Sequence, residues 1–402
     1  MAESFPARSF TRTLRESFFA FSFDVGGILA GFIIASQLNV FRFSPWTVAI
    51  YPAILSARGV ISGLFSGRLT TALHMGTVLP RFFGNTKGFY VLFEAIVAIT
   101  LETSIAMGVL SMFFGIMFWG TTIGDVVSVL AVIMATMFLG LIISILTISV
   151  AFASFRKGLD PDIIVYPIMS TVADILITLC YISVLNIFFF VGYGGKYFIY
   201  FLGTLLIFLA LYASLKNIRQ EEFLRTIKES LLTLIIVAFI VNFTGTILSG
   251  ISEVVGGRKE VYTVYPALID TVGDVGSVVG STATTKLALG LLEPSITSIR
   301  NHVAQISAAW ITSIFMFISF SILALLMQSA LTLNAFLNFT TLLLTTNVIA
   351  VTAIVLISCA ISILAFRRGL DPDNFVIPIE SSLADSITSI ALFIALFITY
   401  SL

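Results

Sequence analysis

Long apolar runs follow one another along most of the chain, and they restrict its fold more than any other feature. Residues 123–154, for example, contain Asp125 as their single charged residue. A run of about 20 apolar residues crosses the hydrocarbon core, where backbone polar groups must find partners within the chain. Only 10% of the 402 residues are charged, against about 25% in a soluble domain. The sequence therefore predicts an all-α integral membrane protein, with the lipid bilayer as its surroundings and helices rather than a barrel.

One stretch of sequence occurs twice. FRKGLDPDIIVYPIMSTVAD begins at Phe155, and FRRGLDPDNFVIPIESSLAD begins 211 residues later at Phe366. Upstream, Tyr51-Pro52-Ala53 returns 214 residues later as Tyr265-Pro266-Ala267. The second half of the chain therefore repeats the first.

The repeat and the apolar runs together predict eleven transmembrane helices. We expect a cytoplasmic N-terminal arm over 1–17, a five-helix repeat over 18–191 and a second over 231–402. A linker over 192–230 holds one extra transmembrane helix at 197–213. Because five is an odd number, this extra span makes the two repeats parallel, related by a pseudo-twofold axis along the membrane normal.

The basic residues predict the orientation in the membrane. With the N-terminus inside, fourteen Lys and Arg residues lie in inner loops and four in outer loops. Such a bias is typical of cytoplasmic loops, so we expect a cytoplasmic N-terminus and an extracellular C-terminus. The formal net charge is zero, which gives no reason to expect a nucleic-acid partner.

The fifth helix of each repeat carries one deeply placed carboxylate. Asp174 and Asp385 lie about 11 residues past the Asp-Pro-Asp turn, which is roughly 16 Å and half of the hydrocarbon core. An ionisable group at that depth is costly and marks a functional hypothesis. Hydroxyl groups share its helix face; they belong to Ser170, Thr171 and Thr178 in repeat one, and to Ser381, Ser382 and Ser389 in repeat two.

Two carboxylates converging in a narrow wet passage would suit a hard cation, which prefers oxygen ligands. The alternative is that each aspartate is protonated or hydrogen-bonded and only joins helices.

The second helix of each repeat shows small and polar residues at helical spacing. In repeat two it also presents Asp270 and Asp274 one turn apart, whereas repeat one has Ser56 and Val60 there. We therefore expect cation ligands mainly from repeat two, and Arg58 as a candidate partner of one acid. The alternative is a helix-packing seam without solute contact. The predicted metal-contacting residues are Asp174, Asp385, Asp270, Asp274, Ser170, Ser381 and Ser277.

Several other acids fall inside apolar segments. Each is predicted either to line a vestibule or to be an interfacial or paired group; they are Asp24, Glu94, Glu102, Asp125 and Glu380. The sequence shows no nucleotide-binding or hydrolase motif. We therefore expect no enzyme and no organic cofactor, and transport driven by a gradient or by the membrane potential.

Two motifs together carry a family resemblance. The run YPALIDTVGDVGSVVGSTATTKLALG, followed by DPD…P…S..AD, resembles the membrane domain of the MgtE magnesium transporter family, duplicated as in solute carrier family 41. The resemblance covers residues 18–191 and 231–402 and implies transport of divalent cations, chiefly Mg²⁺. It implies that one chain supplies both halves of a pore, as a monomeric pseudo-dimer. The family's pore aspartate corresponds to Asp174 and Asp385.

Two other functions compete with this interpretation. An acidic path would also serve a transporter of another cation coupled to H⁺ or Na⁺. An intramembrane aspartyl protease is a remote alternative, because Val272-Gly273-Asp274 resembles the end of a Gly-x-Gly-Asp motif but Thr271 stands where the first glycine belongs. For Mg²⁺, which dehydrates reluctantly, we expect protein contacts largely through water.

Overall fold

The computed structural model describes residues 4–157, 161–288, 290–295, 300–367 and 372–400, and within these ranges the regular structure is helical and without strands. The α-helices are α1 Ser4–Phe21, α2 Val25–Ser36, α3 Leu38–Phe41, α4 Trp46–Ala49, α5 Tyr51–His74, α6 Lys87–Phe114, α7 Val126–Arg156, α8 Pro161–Phe190, α9 Gly192–Asn217, α10 Glu221–Val255, α11 Lys259–Ala288, α12 Val303–Met327, α13 Leu333–Arg367 and α14 Pro372–Tyr400. Short turns of other helix types occupy Ser22–Asp24, Gly115–Trp119 and Ile123–Asp125.

Within the described part of the chain, nine helical stretches are long and apolar enough to cross a membrane. They confirm the prediction of an all-α, multi-pass membrane protein. Two further long helices, α5 and α11, are not among the nine and carry charged residues in their interiors. The total of eleven spans, which includes these two helices, stays a prediction, as does the parallel arrangement of the repeats.

Contacts among the helices divide the chain into two compact units. Unit 1 comprises Met1–Ser36 and Gly250–Leu402, and unit 2 comprises Gln37–Ser249. The units do not coincide with the repeats expected at 18–191 and 231–402. The helix that opens repeat one packs in unit 1, where α2 lies along α11. Most of α10, which opens repeat two, belongs to unit 2.

Glycines allow these opening helices to approach their neighbours closely. In unit 1, Gly31 of α2 lies against the backbone carbonyl of Thr263 in α11. In unit 2, Gly245 of α10 lies against the backbone of Ala49. Gly245 follows Gly31, and Thr263 follows Ala49, by the same 214 residues. Each unit therefore contains the same close contact, which small residues permit in membrane helices.

The segment between the repeats is more helical than the predicted linker. Helix α9 extends over Gly192–Asn217, beyond the expected 197–213, and α10 already begins at Glu221. The first turns of α10 are held by apolar burial, because Phe223 packs against Val91, Ala95 and Ala98 of α6. Within the predicted linker 192–230, only residues 218–220 lie outside helices.

The second and fifth helices of each repeat pack together inside one unit. Helix α5 packs with α8 in unit 2, and α11 packs with α14 in unit 1. At the end of the fourth helix, the Arg156 Nε donates to the Pro80 carbonyl at 2.7 Å, and the Arg367 Nε donates to the Pro294 carbonyl at 2.8 Å. In both repeats, the first of the two basic residues that open the duplicated stretch is thus an arginine bonded to the loop after the second helix.

Candidate functional site

The environment of Asp385 in unit 1 is built by α11 and α14. Asp385 is 7% exposed. The Ser389 hydroxyl donates to the Asp385 backbone carbonyl at 2.7 Å, and the Tyr265 hydroxyl lies 2.8 Å from the Ser389 oxygen. Because the single hydroxyl proton of Ser389 goes to that carbonyl, the Tyr265 hydroxyl is the donor to Ser389. Tyr265 therefore ties the second helix to the turn of the fifth helix that starts at Asp385.

The neighbouring residues bring the acidic face of α11 beside the same turn. A Cβ atom on Gly273 would lie 3.7 Å from the Cβ of Ala384, next to Asp385. Asp274 follows Gly273 in sequence, and Asp270 precedes it by one turn. Both carboxylates are half-buried, as is Ser277 one turn further on. Unit 1 thus places the predicted repeat-two residues on two packed helices.

Asp24 adds another carboxylate to unit 1. It ends the 3-10 turn Ser22–Asp24 that interrupts the helix between α1 and α2, and its side chain is buried. The Thr271 hydroxyl donates to the Asp24 Oδ2 at 2.6 Å. Thr271 stands between Asp270 and Val272 on α11, so this bond places Asp24 beside the acidic helix. From sequence, Asp24 was a general vestibule candidate, and no pattern connected it to Thr271.

The environment of Asp174 in unit 2 has the same framework. Asp174 is 8% exposed, and Tyr51 of α5 shares a hydrogen bond of 3.0 Å with the Thr178 hydroxyl, one turn further along α8. Tyr51 and Tyr265 occupy matched positions in the two repeats, as do Thr178 and Ser389. The repeated Tyr-Pro-Ala motif was the available signal for this role, which sequence reasoning missed.

The electrostatics of unit 2 differ from those of unit 1. Where α11 carries two acids, α5 carries Ser56 and Val60. Between them lies Arg58, whose side chain is 1% exposed and whose Nη2 donates to the Ser144 hydroxyl at 3.2 Å. The hydrogen-bond partner of the Arg58 Nη2 is therefore a hydroxyl, and the expected pairing of Arg58 with an acid stays a prediction.

Several predicted positions fall outside what the structure describes. The side chains of Ser170, Ser381 and Glu380 lie outside the described residues. The convergence of Asp174 with Asp385 stays a prediction, because the two aspartates belong to separate units. Among the residues that are described, no group of three His, Cys, Asp or Glu side chains is arranged to hold a metal ion.

Two of the other acids have structural roles. Glu94 of α6 accepts hydrogen bonds from the Lys216 Nζ and the Asn217 side-chain amide at the end of α9. Asp125 accepts from the backbone N–H and the hydroxyl of Thr122, both at 2.9 Å, and so caps the 3-10 turn Ile123–Asp125 that precedes α7. These two residues match the interfacial or paired alternative.

The chain is similar in sequence to one known protein family. The family model described as MgtE, divalent cation transporter, matches residues 51–184 and 265–395. The two matches cover well over half of the chain, and each spans the second to fifth helices of one repeat. No curated protein and no solved structure matches the chain.

Proposed function

Because the chain belongs to the MgtE family of divalent cation transporters, we propose that it carries Mg²⁺ along the second and fifth helices of its two repeats. Membership in this family makes the chain a transporter rather than an enzyme, and duplication of the matched region supports one chain supplying both halves of the path. The transported ion is the substrate, and we propose no resident cofactor. The proposed driving force is the Mg²⁺ gradient or the membrane potential.

One observation carries this proposal above the others. Asp174 and Asp385 are buried at matched positions, and in each unit a tyrosine of the second helix bonds the hydroxyl one turn beyond the aspartate. A buried carboxylate is costly in a membrane unless it has a function or a partner. Its repetition in both units favours a role in holding a cation.

The chemistry of the acidic set suits Mg²⁺ in particular. Mg²⁺ binds oxygen ligands at short distances and usually keeps several of its waters. Asp385, Asp270 and Asp274 supply carboxylate oxygens on α14 and α11, and Ser277 adds a hydroxyl on the same face. We propose that these groups contact the hydrated ion through water, so that selectivity depends on the width of the passage and on the geometry of the retained waters.

The test is Mg²⁺ flux into proteoliposomes loaded with a Mg²⁺-sensitive dye, with the membrane potential clamped. Asp385→Asn and Asp174→Asn keep side-chain size but remove the charge, and each is expected to lower the initial flux, by about tenfold or more for Asp385→Asn. Asp125→Asn is the matched control, because the Asp125 side chain accepts from Thr122 before α7 and an asparagine side-chain oxygen can accept the same bonds. Flux that is unchanged in both pore variants would refute the proposed mechanism.

The same liposomes separate the competing transport function. Imposed H⁺ or Na⁺ gradients should leave Mg²⁺ flux unaltered at a fixed membrane potential. A flux that follows either gradient would instead indicate coupled transport. Competition among Mg²⁺, Ca²⁺, Mn²⁺ and Zn²⁺ then ranks the divalent ions.

A further inference from the structure

Arg58 is a buried cation whose hydrogen-bonding capacity is largely unused. It lies in the second helix of repeat one and is 1% exposed. Its Nη2 donates to Ser144 of α7, whereas its Nε and Nη1 are buried and have no hydrogen-bond partner. An arginine side chain stays protonated in proteins. Its positive charge is therefore retained inside unit 2.

The place of Arg58 is specific to repeat one. Gly140 of α7 leaves room beside it, since a Cβ atom there would lie 4.0 Å from the Arg58 Cδ and 2.8 Å from the Ile177 Cδ1. Repeat two has buried valines at the three matching positions. Arg58 is matched with an offset of 214 residues, and Gly140 and Ser144 are matched with an offset of 211 residues. The valines are Val272, Val351 and Val355. Repeat one thus has a buried arginine bonded to a hydroxyl where repeat two has apolar packing.

Arg58 lies close to the predicted cation-binding turn of its own unit. On α8, Ile177 borders the same Gly140 position as Arg58, and Cys180 interacts electrostatically with Arg58; these two residues follow Asp174 by three and six positions. At 1.5 Å per residue, these positions lie roughly 5 and 9 Å along the helix axis from the aspartate. Away from bulk water, a fixed positive charge in this part of unit 2 weakens the attraction of a carboxylate for a cation.

We propose that Arg58 is a specificity-determining residue that acts as a tethered cation in repeat one. Its charge offsets Asp174, so that the first repeat holds a divalent ion only weakly and the second repeat supplies the principal binding half. This inference rests on the proposed function and ranks the two halves within it. It also accounts for why the additional acids at the second helix occur only in repeat two, where Val272 stands in place of Arg58.

The experiment measures how Mg²⁺ flux depends on Mg²⁺ concentration for Arg58→Gln in the full chain. Removal of the tethered charge should lower the half-saturating Mg²⁺ concentration by about tenfold. Titration calorimetry with Mg²⁺ should then show an additional bound ion per chain. Arg58→Lys retains the charge and should behave as the unmodified protein.

The matched control is Arg68→Gln on the same helix. The Arg68 Nη1 donates to the Thr226 hydroxyl at 2.6 Å, and its loss should leave the half-saturating concentration unchanged. If Arg58→Gln does not fold, Arg58→Val combined with Ser144→Val introduces two of the three valines of repeat two and replaces it in the assay.

An unchanged half-saturating concentration and an unchanged number of bound ions in these Arg58 variants would overturn the inference. Mg²⁺ flux by the unmodified protein, and its loss in Asp385→Asn, would still support the proposed function in that case. Absence of Mg²⁺ flux in the unmodified protein would instead reject the function itself.

Discussion

The hydrogen bond between Thr271 and Asp24 offers a direct test of how unit 1 is held together. Thr271 of α11 is fully buried, and its hydroxyl donates to the Asp24 carboxylate at 2.6 Å. Thr271→Val keeps the branched shape of the side chain and removes only the donor. The substitution therefore isolates one interaction between α11 and the helix break that precedes α2.

The size of the effect follows from the chemistry of the bond. Hydrogen bonds to charged groups contribute about 1.5–3 kcal/mol to stability, and bonds between membrane helices reach about 1.7 kcal/mol. Asp24 has further interactions, which favours the lower part of the first range. We expect Thr271→Val to lower the free energy of unfolding by about 1.5 kcal/mol, roughly a 13-fold change in the unfolding equilibrium.

Reversible unfolding in detergent micelles, followed by circular dichroism, measures this change. Thr271→Ser keeps the hydroxyl and is the matched control, with a loss of at most about 1 kcal/mol from the missing methyl group. A double-mutant cycle with Asp24→Asn then isolates the pair, and we expect a coupling energy of about 1 kcal/mol or more. Equal stability of Thr271→Val and the unmodified protein, or a coupling energy near zero, would refute the reasoning.

Two further predictions concern the packing of the second helices. Gly31→Val should abolish the monodisperse folded protein in size-exclusion chromatography, because the valine side chain would overlap the Thr263 carbonyl. Gly59→Ala is the control: no atom lies within 4 Å of the new Cβ, so the free energy of unfolding should change by less than about 1 kcal/mol. Equal behaviour of the two variants would contradict this prediction. Tyr265→Phe should cost about 1 kcal/mol of unfolding free energy through loss of its bond to Ser389. Combination with Ser389→Ala should be less than additive, and full additivity would argue against the bond.

The sequence predicts much of the candidate site because its signals are local or repeated. The depth of Asp174 and Asp385 follows from counting residues after the Asp-Pro-Asp turn, and the structure buries both. The acids on α11 follow from helical spacing, and α11 packs with α14 as the prediction of a shared path requires. The side chains of Ser170 and Ser381 lie outside the described residues, so their predicted contact with the metal ion stays a prediction.

Other parts of the site depend on contacts that no sequence pattern reports. Tyr51 and Tyr265 were visible as a repeated motif, but their bonds to Thr178 and Ser389 join residues more than 120 positions apart. The burial of Arg58 could not be predicted either, because an arginine on a helix face can extend toward water or toward a partner. The space beside the Arg58 side chain depends on Gly140 of another helix.

The sequence by itself determined that this chain is a membrane protein of helices, that its second half repeats its first, and that one buried aspartate recurs in each half. These are properties of composition, spacing and internal similarity. Only the tertiary structure decided that α2 packs with α11 and that α10 packs against Ala49. It also decided that Thr271 donates a hydrogen bond to Asp24, 247 positions away in the sequence. The physical reason is that an apolar helix face has the same sequence pattern whether lipid, its own repeat or the other repeat covers it.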